Sequence, residues 1–579
     1  MGKEEKILGT NATADKHQVF IVMFNTGMTY VYLLSVLLLA RITLQASSPT
    51  STYYVGAVVE YHPVHNEDNA TATVNQNKKN YMKFLQTASE NEVDIIVFPE
   101  ASLMGGLGTS EHNRSPSLSA GSYIPDPKDA KVPCTDQSSN VNEVVKALSC
   151  AAKSFAMYVV VNLHEKEKCT GDKCPKDGHM LYNTNVAFDR TGTVIGRYRK
   201  WNLFGESGFN RTTKPELSYF RTDFNVTFGQ FICFDILFDT PALSLVREKR
   251  ITDILFSTYW FGELPYLTAN EIQSAYAYVN DVNFLGSGFN SPSTGSGGSG
   301  IYAGKDGVLG RIATEKRTNA MIIANIPKIV NGRRVQPVNP NDAKIIVYSK
   351  IDIPTINGSE PVPQMAFKSD DMTAYTTKLF NPSNNTHNLT LCDREFCCNF
   401  QIHTEHREDL VKDSVKYYRY RLAVFNGVRS FGVGGTGGVE ICSIISCIDD
   451  KPTSCGHRFD TNTIIVHPTT FNSIIISSDY KISRNISRFP LSLNTEMNPF
   501  NVSDFTFISN KLNATHINIK YTLTKPRKDL MTFTIYGRNF TSDGLPITTS
   551  SAAQFSPLYI MLIMLIVLGI TKTYGISSM

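Results

Sequence analysis

The chain has 579 residues, with 42% hydrophobic and 19% charged side chains, which is the composition of a folded globular protein rather than a disordered or collagen-like one. Its 56 basic and 52 acidic residues nearly balance at a net charge of +4, which argues against a dedicated nucleic-acid-binding protein. Long apolar runs occur only at the two ends, which excludes a polytopic membrane protein.

The N-terminal region, residues 1–47, has the pattern of a secretory signal peptide. Residues 29–40 form an apolar run, and the small residues at 46–48 favour cleavage there. Two alternatives stay open. An uncleaved signal anchor is compatible with the fairly apolar segment that begins at Val19, and translation from Met28 would leave a compact signal.

Residues 50–330 alternate between strand and helix patterns. Apolar, β-branched and aromatic runs predict strands at 53–61, 93–98, 157–163, 181–188, 193–199, 226–233, 252–258 and 282–288. Helical spacing, a proline at a first helical position and a capping box predict helices at 77–91, at 144–155, after Pro241, and from Thr268 to about Asn280. This alternation is typical of an α/β domain whose sheet is covered by helices.

After about residue 335 the helical periodicity fades and short strands dominate, as in IIVYS, TNTIIVH and FTIYG. Six of the eleven cysteines fall in this part of the chain. We therefore predict a separate, β-rich, disulfide-stapled domain at 336–545. The glycine run at 432–438 lacks a following helix, which favours a turn between strands over a phosphate-binding loop.

The C-terminal region, residues 546–579, contains a second apolar run at 558–570, which is short against the roughly 20 residues that a spanning helix needs. Small residues lie upstream, and this order is the pattern of a GPI-anchor signal. Lys572 follows the run and departs from that pattern, so a short membrane span and a buried helix remain alternatives. Together the two ends predict a secretory-pathway protein tethered to the extracellular face of the cell membrane.

Sequons and cysteines indicate the same compartment. Between the two ends, eleven N-x-S/T sequons predict a glycoprotein, and an oxidising environment pairs most of the eleven cysteines. Their close spacing makes Cys169–Cys174 and Cys442–Cys447 plausible disulfide pairs, although spacing alone does not establish the pairing. Because the number of cysteines is odd, at least one thiol stays free. The eleven sequons between the two ends are Asn69, Asn113, Asn210, Asn225, Asn357, Asn384, Asn388, Asn485, Asn501, Asn513 and Asn539.

Several familiar catalytic motifs are absent from the sequence. It contains no GxSxG, HExxH or P-loop pattern, which argues against a serine hydrolase, a zinc protease and a nucleotide-dependent enzyme. No metal site is predicted either, because no CxxC pair occurs and His403 and His406 are interpreted as a solvated surface pair.

Three segments at the ends of predicted strands carry reactive groups. Glu100 lies in VFPEASL, Lys200 in GRYRKWNLFGE, and Cys233 in FGQFICFDILF. Strand ends are where α/β folds place such groups. Taken singly, each residue also has a structural interpretation, as a capping carboxylate, a surface lysine or an inert buried thiol.

Together these three groups suit covalent catalysis on an amide. A thiol attacks a carbonyl as its thiolate, and a free cysteine has a pKa of about 8.5, so a nearby carboxylate is suited to act as general base. An ammonium and backbone N–H groups can stabilise the oxyanion that the attack creates. The product is a thioester, which the same base helps water to hydrolyse.

The sequence resembles the vanin (pantetheinase) and biotinidase family of the nitrilase superfamily of carbon–nitrogen hydrolases, whose catalytic trio is Glu, Lys and Cys in this order. The resemblance runs over roughly residues 53–330 and more loosely beyond, and it rests on VFPEASL, YRKWNLFGE, FGQFICFDILFDTPAL, STYWFGELPYLTANE, VNFLGSG and GSGIYAG. It implies an α/β fold, a four-layer αββα sandwich with a β-rich C-terminal domain, in a secreted and often GPI-anchored protein. No cofactor is expected.

Carried over to this chain, the resemblance makes Glu100 the base, Lys200 the oxyanion-stabilising residue and Cys233 the nucleophile. Cys233 would then be the unpaired thiol, leaving ten cysteines to pair. Many family members carry a small polar residue before the cysteine, whereas this chain has Ile232. Because the trio is intact, we expect activity.

Other residues receive supporting roles. Tyr259 and Trp260 are expected to line the substrate pocket, with ordinary core packing as the alternative. Glu206 is a candidate to orient Lys200, and Asp235 is expected to support a turn rather than to act in catalysis. The glycine-rich stretch 291–300 is either an edge of the site or a flexible turn.

The resemblance implies an extracellular, membrane-tethered amidase that cleaves a linear amide of a small vitamin-like molecule, with pantetheine giving pantothenate and cysteamine. The expected partners are this substrate and, through a GPI anchor, the membrane, but no nucleic acid. The alternatives are a biotinidase-like enzyme acting on biotin amides, a non-catalytic surface glycoprotein that keeps the fold, and a peptidase, which needs an extended groove.

Overall fold

The computed structural model describes residues 47–549 except 66–68, 107–109, 139, 341, 350–364 and 413. Three of the predicted features lie outside these described residues: the signal region up to residue 46, the tail from residue 550 onward, and the sequon at Asn357. Within them, none of the helices combines the length and the apolar character needed to cross a membrane.

The first half of the chain follows the predicted alternation of strands and helices. Its strands are β1 (Tyr53–Glu60), β2 (Ile95–Val97), β3 (Tyr158–Lys168), β4 (His179–Phe188), β5 (Val194–Arg199), β6 (Ser218–Arg221), β7 (Thr227–Ile232), β8 (Asp253–Thr258), β9 (Glu263–Leu264), β10 (Asn283–Gly288), β11 (Ser299–Ala303), β12 (Val308–Ile312), β13 (Ala320–Pro327), β14 (Ile329–Val330), β15 (Arg333–Arg334) and β16 (Lys344–Val347). Its helices are α1 (Ala70–Glu90), α2 (Ser115–Ala120), α3 (Glu143–Ser154), α4 (Ser244–Arg247) and α5 (Ala269–Asn280).

Two sheets form the centre of this half. Their strand orders are β16-β13-β1-β2-β3-β4-β5 and β12-β11-β10-β8-β7-β6. Strands β1, β2 and β3 run parallel in the first sheet, as do β7, β8 and β10 in the second. Val58 and Val160 of the first sheet share one buried apolar cluster with Phe228 and Leu255 of the second, so the sheets pack face to face.

Helices cover the outer faces of both sheets. Phe84 of α1 and Leu148 of α3 pack in one buried cluster with Val159 of β3, while Tyr276 of α5 packs in another with Phe256 of β8. The helical spacing of apolar residues is what lets each helix bury one face in this way. The predicted αββα sandwich is therefore confirmed.

The predicted helix after Pro241 is shorter than a regular helix. Asp239–Leu243 form one irregular turn in which Thr240 is not helical, and α4 adds only four residues. The chain must reach the start of β8 at Asp253, which leaves little room for a longer helix.

The second half of the chain is almost entirely β structure. Its strands are β17 (Lys368–Ser369), β18 (Thr376–Phe380), β19 (Thr386–Asp393), β20 (Phe396–His406), β21 (Arg419–Ser430), β22 (Thr436–Cys447), β23 (Thr469–Lys481), β24 (Ile486–Asn494), β25 (Phe505–Lys511), β26 (His516–Leu523) and β27 (Leu530–Asn539). Ten of them form two five-stranded sheets, β18-β21-β22-β27-β24 and β19-β20-β23-β26-β25, around a shared apolar core. The predicted β-rich, disulfide-bearing character of this part of the chain is confirmed.

Two details of this half differ from the sequence analysis. The run TNTIIVH at 461–467 is not a strand, because its polar start forms a turn in which Thr463 N–H bonds the Asp460 carbonyl, and only Ile465 makes an isolated bridge. The boundary expected near residue 336 stays a prediction. Strand β16 lies beyond it and pairs with β13, completing the first sheet of the other half.

The disulfides correct one expected pair. Cys169–Cys174 is confirmed, but Cys442–Cys447 is wrong, because both residues lie on β22 and an odd spacing along a strand turns their side chains to opposite faces. The five bonds are Cys134–Cys150, Cys169–Cys174, Cys392–Cys397, Cys398–Cys442 and Cys447–Cys455. Among the described residues, which include all eleven cysteines, Cys233 alone is free.

The Cys398–Cys442 bond joins the two sheets of the β-rich half, since Cys398 lies on β20 and Cys442 on β22. We predict that changing both residues to Ala lowers the melting temperature by at least several degrees, because releasing a loop closed over 44 residues costs about 4 kcal/mol. The control is the same double change at Cys169 and Cys174, which are five residues apart. Releasing this shorter loop lowers the free energy of unfolding by about 2 kcal/mol. Calorimetry showing equal shifts for both variants would contradict this.

Candidate active site

A buried lysine between two glutamates forms the centre of the site. Lys200 follows β5, and its Nζ lies 2.7 Å from Oε1 of Glu100 and 2.9 Å from Oε2 of Glu206. Glu100 follows β2 and, like Lys200, is only 2% exposed. A buried charge is tolerated only when it is paired and hydrogen-bonded, and here one ammonium serves two carboxylates.

Asn183 completes this arrangement and was not anticipated from the sequence. Its Nδ2 donates to Glu100 at 2.8 Å and to Glu206 at 2.7 Å, and its own Oδ1 accepts from Asn162 at 2.8 Å. Asn183 lies on β4 in the run YNTNVAF, where polar residues interrupt an otherwise apolar strand. Such an interruption in a buried strand is the signal that could have found it.

Cys233 stands where β7 turns into a short 3₁₀ helix, Cys233–Leu237. Its φ of 50° lies in the left-handed region, which costs a non-glycine residue about 1–2 kcal/mol. Asp235 holds this turn, because its carboxylate accepts from the Ile232 N–H at 3.1 Å and from the Tyr198 hydroxyl at 2.7 Å. The supporting geometry expected for Asp235 is therefore present.

The peptide of Tyr259 connects the carboxylate to the thiol. The Tyr259 N–H donates to Oε2 of Glu100 at 2.7 Å, and its carbonyl accepts from the Cys233 Sγ at 3.5 Å. Glu100 follows a strand of the first sheet, whereas Cys233 and Tyr259 follow strands of the second. The face-to-face packing of the sheets thus brings the three predicted catalytic residues together.

Burial and charge set the protonation of the site. Burial raises the pKa of the Cys233 thiol well above its usual value, the Glu100 charge raises it further, and the Lys200 ammonium opposes this. Burial acts to lower the pKa of Lys200, but Glu100 and Glu206 outweigh it and hold that pKa well above the usual range. At neutral pH the resting site therefore holds a neutral thiol beside a charged lysine.

Cys233 opens onto a cavity of about 320 Å³ between the two halves of the chain. Tyr259 and Trp260 both line it, as expected for pocket residues. Tyr259 stacks on Phe289 with ring centroids 3.9 Å apart, and the Trp260 Nε1 donates to the Leu267 carbonyl at 2.7 Å. The cavity is therefore mainly aromatic near the thiol, with aromatic rings held in place by their own neighbours.

Comparisons with known proteins identify two matching domain families and several relatives. The carbon-nitrogen hydrolase profile matches residues 57–282, and the Vanin C-terminal domain profile matches residues 365–543. Vanin-like protein 1 of Drosophila melanogaster is 33% identical over 531 residues, which cover 89% of this chain and 90% of that protein. This chain belongs to the vanin family.

Named pantetheinases are also similar to it. The Bos taurus pantetheinase is 29% identical over 86% of this chain and 90% of its own length. The Homo sapiens pantetheinase is 31% identical over 69% of this chain and 73% of its own length. With the matched hydrolase domain, these relatives make the chain a hydrolase of carbon–nitrogen bonds other than peptide bonds.

The β-rich half also lines the cavity, which no local sequence pattern indicates. Arg429 of β21 is 5% exposed and pairs with Glu263 and, at 3.1 Å, with Asp370. Lys368 lies near the same part of the lining with its Nζ 5.3 Å from the centre of the Phe204 ring. The vanin fold therefore places both apolar and charged groups around one substrate-sized space.

The glycine-rich stretch 291–300 lies beside the site and is held by hydrogen bonds. Gly262 N–H bonds the Gly295 carbonyl at 2.9 Å, and Ala366 N–H bonds the Pro292 carbonyl at 2.9 Å. This stretch thus connects the segment after Tyr259 with the start of the β-rich half. Ile232, where the chain departs from many family members, is fully buried and lines no part of the cavity formed by the described residues.

We predict that Glu100→Gln lowers the pKa of the Cys233 thiol, because it removes the negative charge that raises this pKa while Lys200 remains. The rate of alkylation by iodoacetamide then levels off at a lower pH than in the unchanged protein. At neutral pH the alkylation rate rises about tenfold for each unit by which the pKa of the thiol falls. Mass spectrometry locates the label, and Cys233→Ala provides the blank. Identical pH profiles for both proteins would contradict the expectation.

Proposed function

We propose that this vanin-family hydrolase cleaves a linear amide of a small vitamin-like molecule, with pantetheine giving pantothenate and cysteamine. The observation that carries the proposal is that Glu100 bonds Lys200 and is joined through the Tyr259 peptide to Cys233, which lines a substrate-sized cavity. The similarity to proteins named pantetheinase supports the choice of substrate.

In the first step Cys233 attacks the amide carbonyl. The S–C bond forms as the thiol proton moves to Glu100, which suits a thiol that is neutral at rest. The carbonyl electrons move to oxygen, where the Lys200 ammonium stabilises the negative charge. The N–H of Phe234 is a second candidate donor, because the first residues of a helix lack intrahelical acceptors.

The tetrahedral intermediate then collapses. Its C–N bond breaks, Glu100 returns the proton to the leaving nitrogen, and a thioester of Cys233 remains. Water next gives a proton to Glu100 and attacks the thioester carbonyl, and the C–S bond breaks as Cys233 recovers that proton. Glu206 and Asn183 act as positioning residues, since Glu206 bonds Lys200 and Asn183 bonds Glu100.

The mixed lining of the cavity supports a neutral, flexible substrate with both apolar and polar parts. Aromatic rings such as Phe234 and Phe431 suit methyl and methylene groups, while Arg429 and Ser430 offer polar atoms for hydroxyl and amide groups. Biotin amides share this mixture of groups, so a biotinidase-like activity is the second candidate. A non-catalytic glycoprotein is disfavoured, because all three predicted catalytic residues are present and hydrogen bonds link them, directly for Lys200 and Glu100 and through the Tyr259 peptide for Cys233.

We further propose that the protein is extracellular, N-glycosylated and attached to the membrane by a GPI anchor. The sequence patterns at both ends support this, although nearly all of those residues lie outside the described part. Of the ten described sequons, eight have exposed asparagines, as a glycan requires: Asn69, Asn113, Asn225, Asn384, Asn388, Asn485, Asn501 and Asn513.

The first prediction from this proposal concerns substrate and nucleophile. Secreted protein should hydrolyse pantetheine and leave biocytin largely intact, and both Cys233→Ala and Glu100→Gln should lose at least about 100-fold in kcat. The measurements are the release of cysteamine from pantetheine and the release of lysine from biocytin. Cleavage of biocytin instead would move the assignment to biotin amides, and no cleavage by folded protein with unreactive Cys233 would favour the non-catalytic alternative.

The second prediction concerns attachment. Phosphatidylinositol-specific phospholipase C should release the full-length protein from the surface of expressing cells, because a GPI anchor holds it through lipid alone. The released and retained fractions are measured by immunoblot, with a variant that carries a known transmembrane helix in place of residues 550–579 as control. Retention of both proteins would favour the short membrane span.

A further inference from the structure

The end of the described chain returns to the catalytic cavity. Residues 544–548, called the C-terminal segment here, follow the last strand of the β-rich half. Ile547 and Thr548 of this segment line the same cavity as Cys233. A wall residue more than 300 positions away from the nucleophile in the sequence is visible only in the folded chain.

Hydrogen bonds hold this segment against the hairpin of β21 and β22. Thr548 N–H bonds the Val428 carbonyl at 2.8 Å, and the Thr548 hydroxyl accepts from the Val428 N–H at 2.8 Å. Thr436 holds the other end, since its hydroxyl donates to the Leu545 carbonyl at 2.7 Å. The segment is therefore placed by bonds at both ends rather than by its own apolar contacts.

Gly427 leaves the space that this close approach needs. A Cβ at this position would lie 2.6 Å from the Thr548 hydroxyl oxygen and 2.8 Å from the Thr548 Cβ, closer than real contacts allow. The strand thus omits a side chain where the segment crosses it. This fit indicates that the segment has a defined position on β21.

Ile547 is a large apolar residue of the cavity lining that remains half exposed to solvent. Its side chain is 53% exposed although it is large, apolar and on the lining of the cavity. Leu545 in the same segment is 50% exposed but lines no part of the cavity formed by the described residues. An apolar group entering the cavity would remove surface of Ile547 from water and leave Leu545 unchanged.

We propose that Ile547 and Thr548 form a substrate-binding wall of the active site, and that Ile547 contacts an apolar part of the acyl group. In pantetheine the matching group is the quaternary carbon with its two methyl groups. This inference rests on the proposed amide hydrolysis and on anchor attachment beyond Thr548, at the small residues 550–553. It adds a specificity determinant from the last described residues of the chain.

The test uses the full chain with single substitutions. Ile547→Ala should raise the KM for pantetheine roughly 3- to 10-fold and change kcat less than about twofold, because it removes binding surface and leaves the reacting groups in place. Thr548→Val should also raise the KM, because it leaves the Val428 N–H without its hydroxyl acceptor. Thr548→Ser keeps the hydroxyl and should retain the KM of the unchanged protein. Leu545→Ala is the matched control with unchanged KM.

A second readout does not depend on turnover. Pantothenate should protect Cys233 from iodoacetamide, and Ile547→Ala should raise the half-protecting concentration by the same factor as KM. An amide whose acyl chain lacks the two methyl groups should respond to Ile547→Ala less than about twofold. Melting temperatures are expected to stay unchanged, because Ile547 is half exposed.

Two failures are distinguishable. If the unchanged protein cleaves pantetheine but Ile547→Ala and Leu545→Ala give the same KM and the same protection, the binding wall is refuted and the hydrolase assignment stands. If the unchanged, folded protein neither cleaves pantetheine nor is protected by pantothenate, the proposed substrate and the binding wall fail together.

Discussion

The site depends on one ammonium group buried between two carboxylates. Lys200 pairs with Glu100 and Glu206, and removing Lys200 would leave two neighbouring carboxylates without their cation, at a cost of about 3–5 kcal/mol. Because the cluster holds two negative charges against one positive charge, further donors are needed. Asn183 and the backbone N–H groups of Phe204 and Tyr259 provide them.

That cluster joins elements from two different sheets. Glu100 ends a strand of the first sheet, and Cys233 ends a strand of the second, so their distance is set by the packing between the sheets. The Tyr259 peptide spans the gap, since its N–H bonds Glu100 and its carbonyl bonds the thiol. Burial and the neighbouring carboxylate both raise the pKa of the Cys233 thiol, so the proposed chemistry needs a proton acceptor, and Glu100 is the carboxylate placed to provide it.

The β-rich half is part of the active-site architecture and not an appendage. Arg538 is fully buried and donates through Nε to the carbonyl of Leu237, which ends the 3₁₀ helix of Cys233, and through Nη2 to Asp543. The same half provides Arg429 and Ile547 at the cavity. The β-rich half therefore both supports the 3₁₀ helix that begins at the nucleophile and forms part of the cavity lining.

The sequence by itself determined the α/β alternation, the β-rich second half and the candidate trio, because these depend on local patterns: apolar periodicity, turn residues and short motifs. It also indicated a free thiol, since an odd number of cysteines cannot all pair. Tertiary structure alone decided that Cys442 pairs with Cys398 and that Asn183 bonds both carboxylates. It likewise placed Arg429 and Ile547 on the lining of the same cavity as Cys233. These contacts join residues far apart in the chain, and only the packing of sheets and domains sets the distances between them.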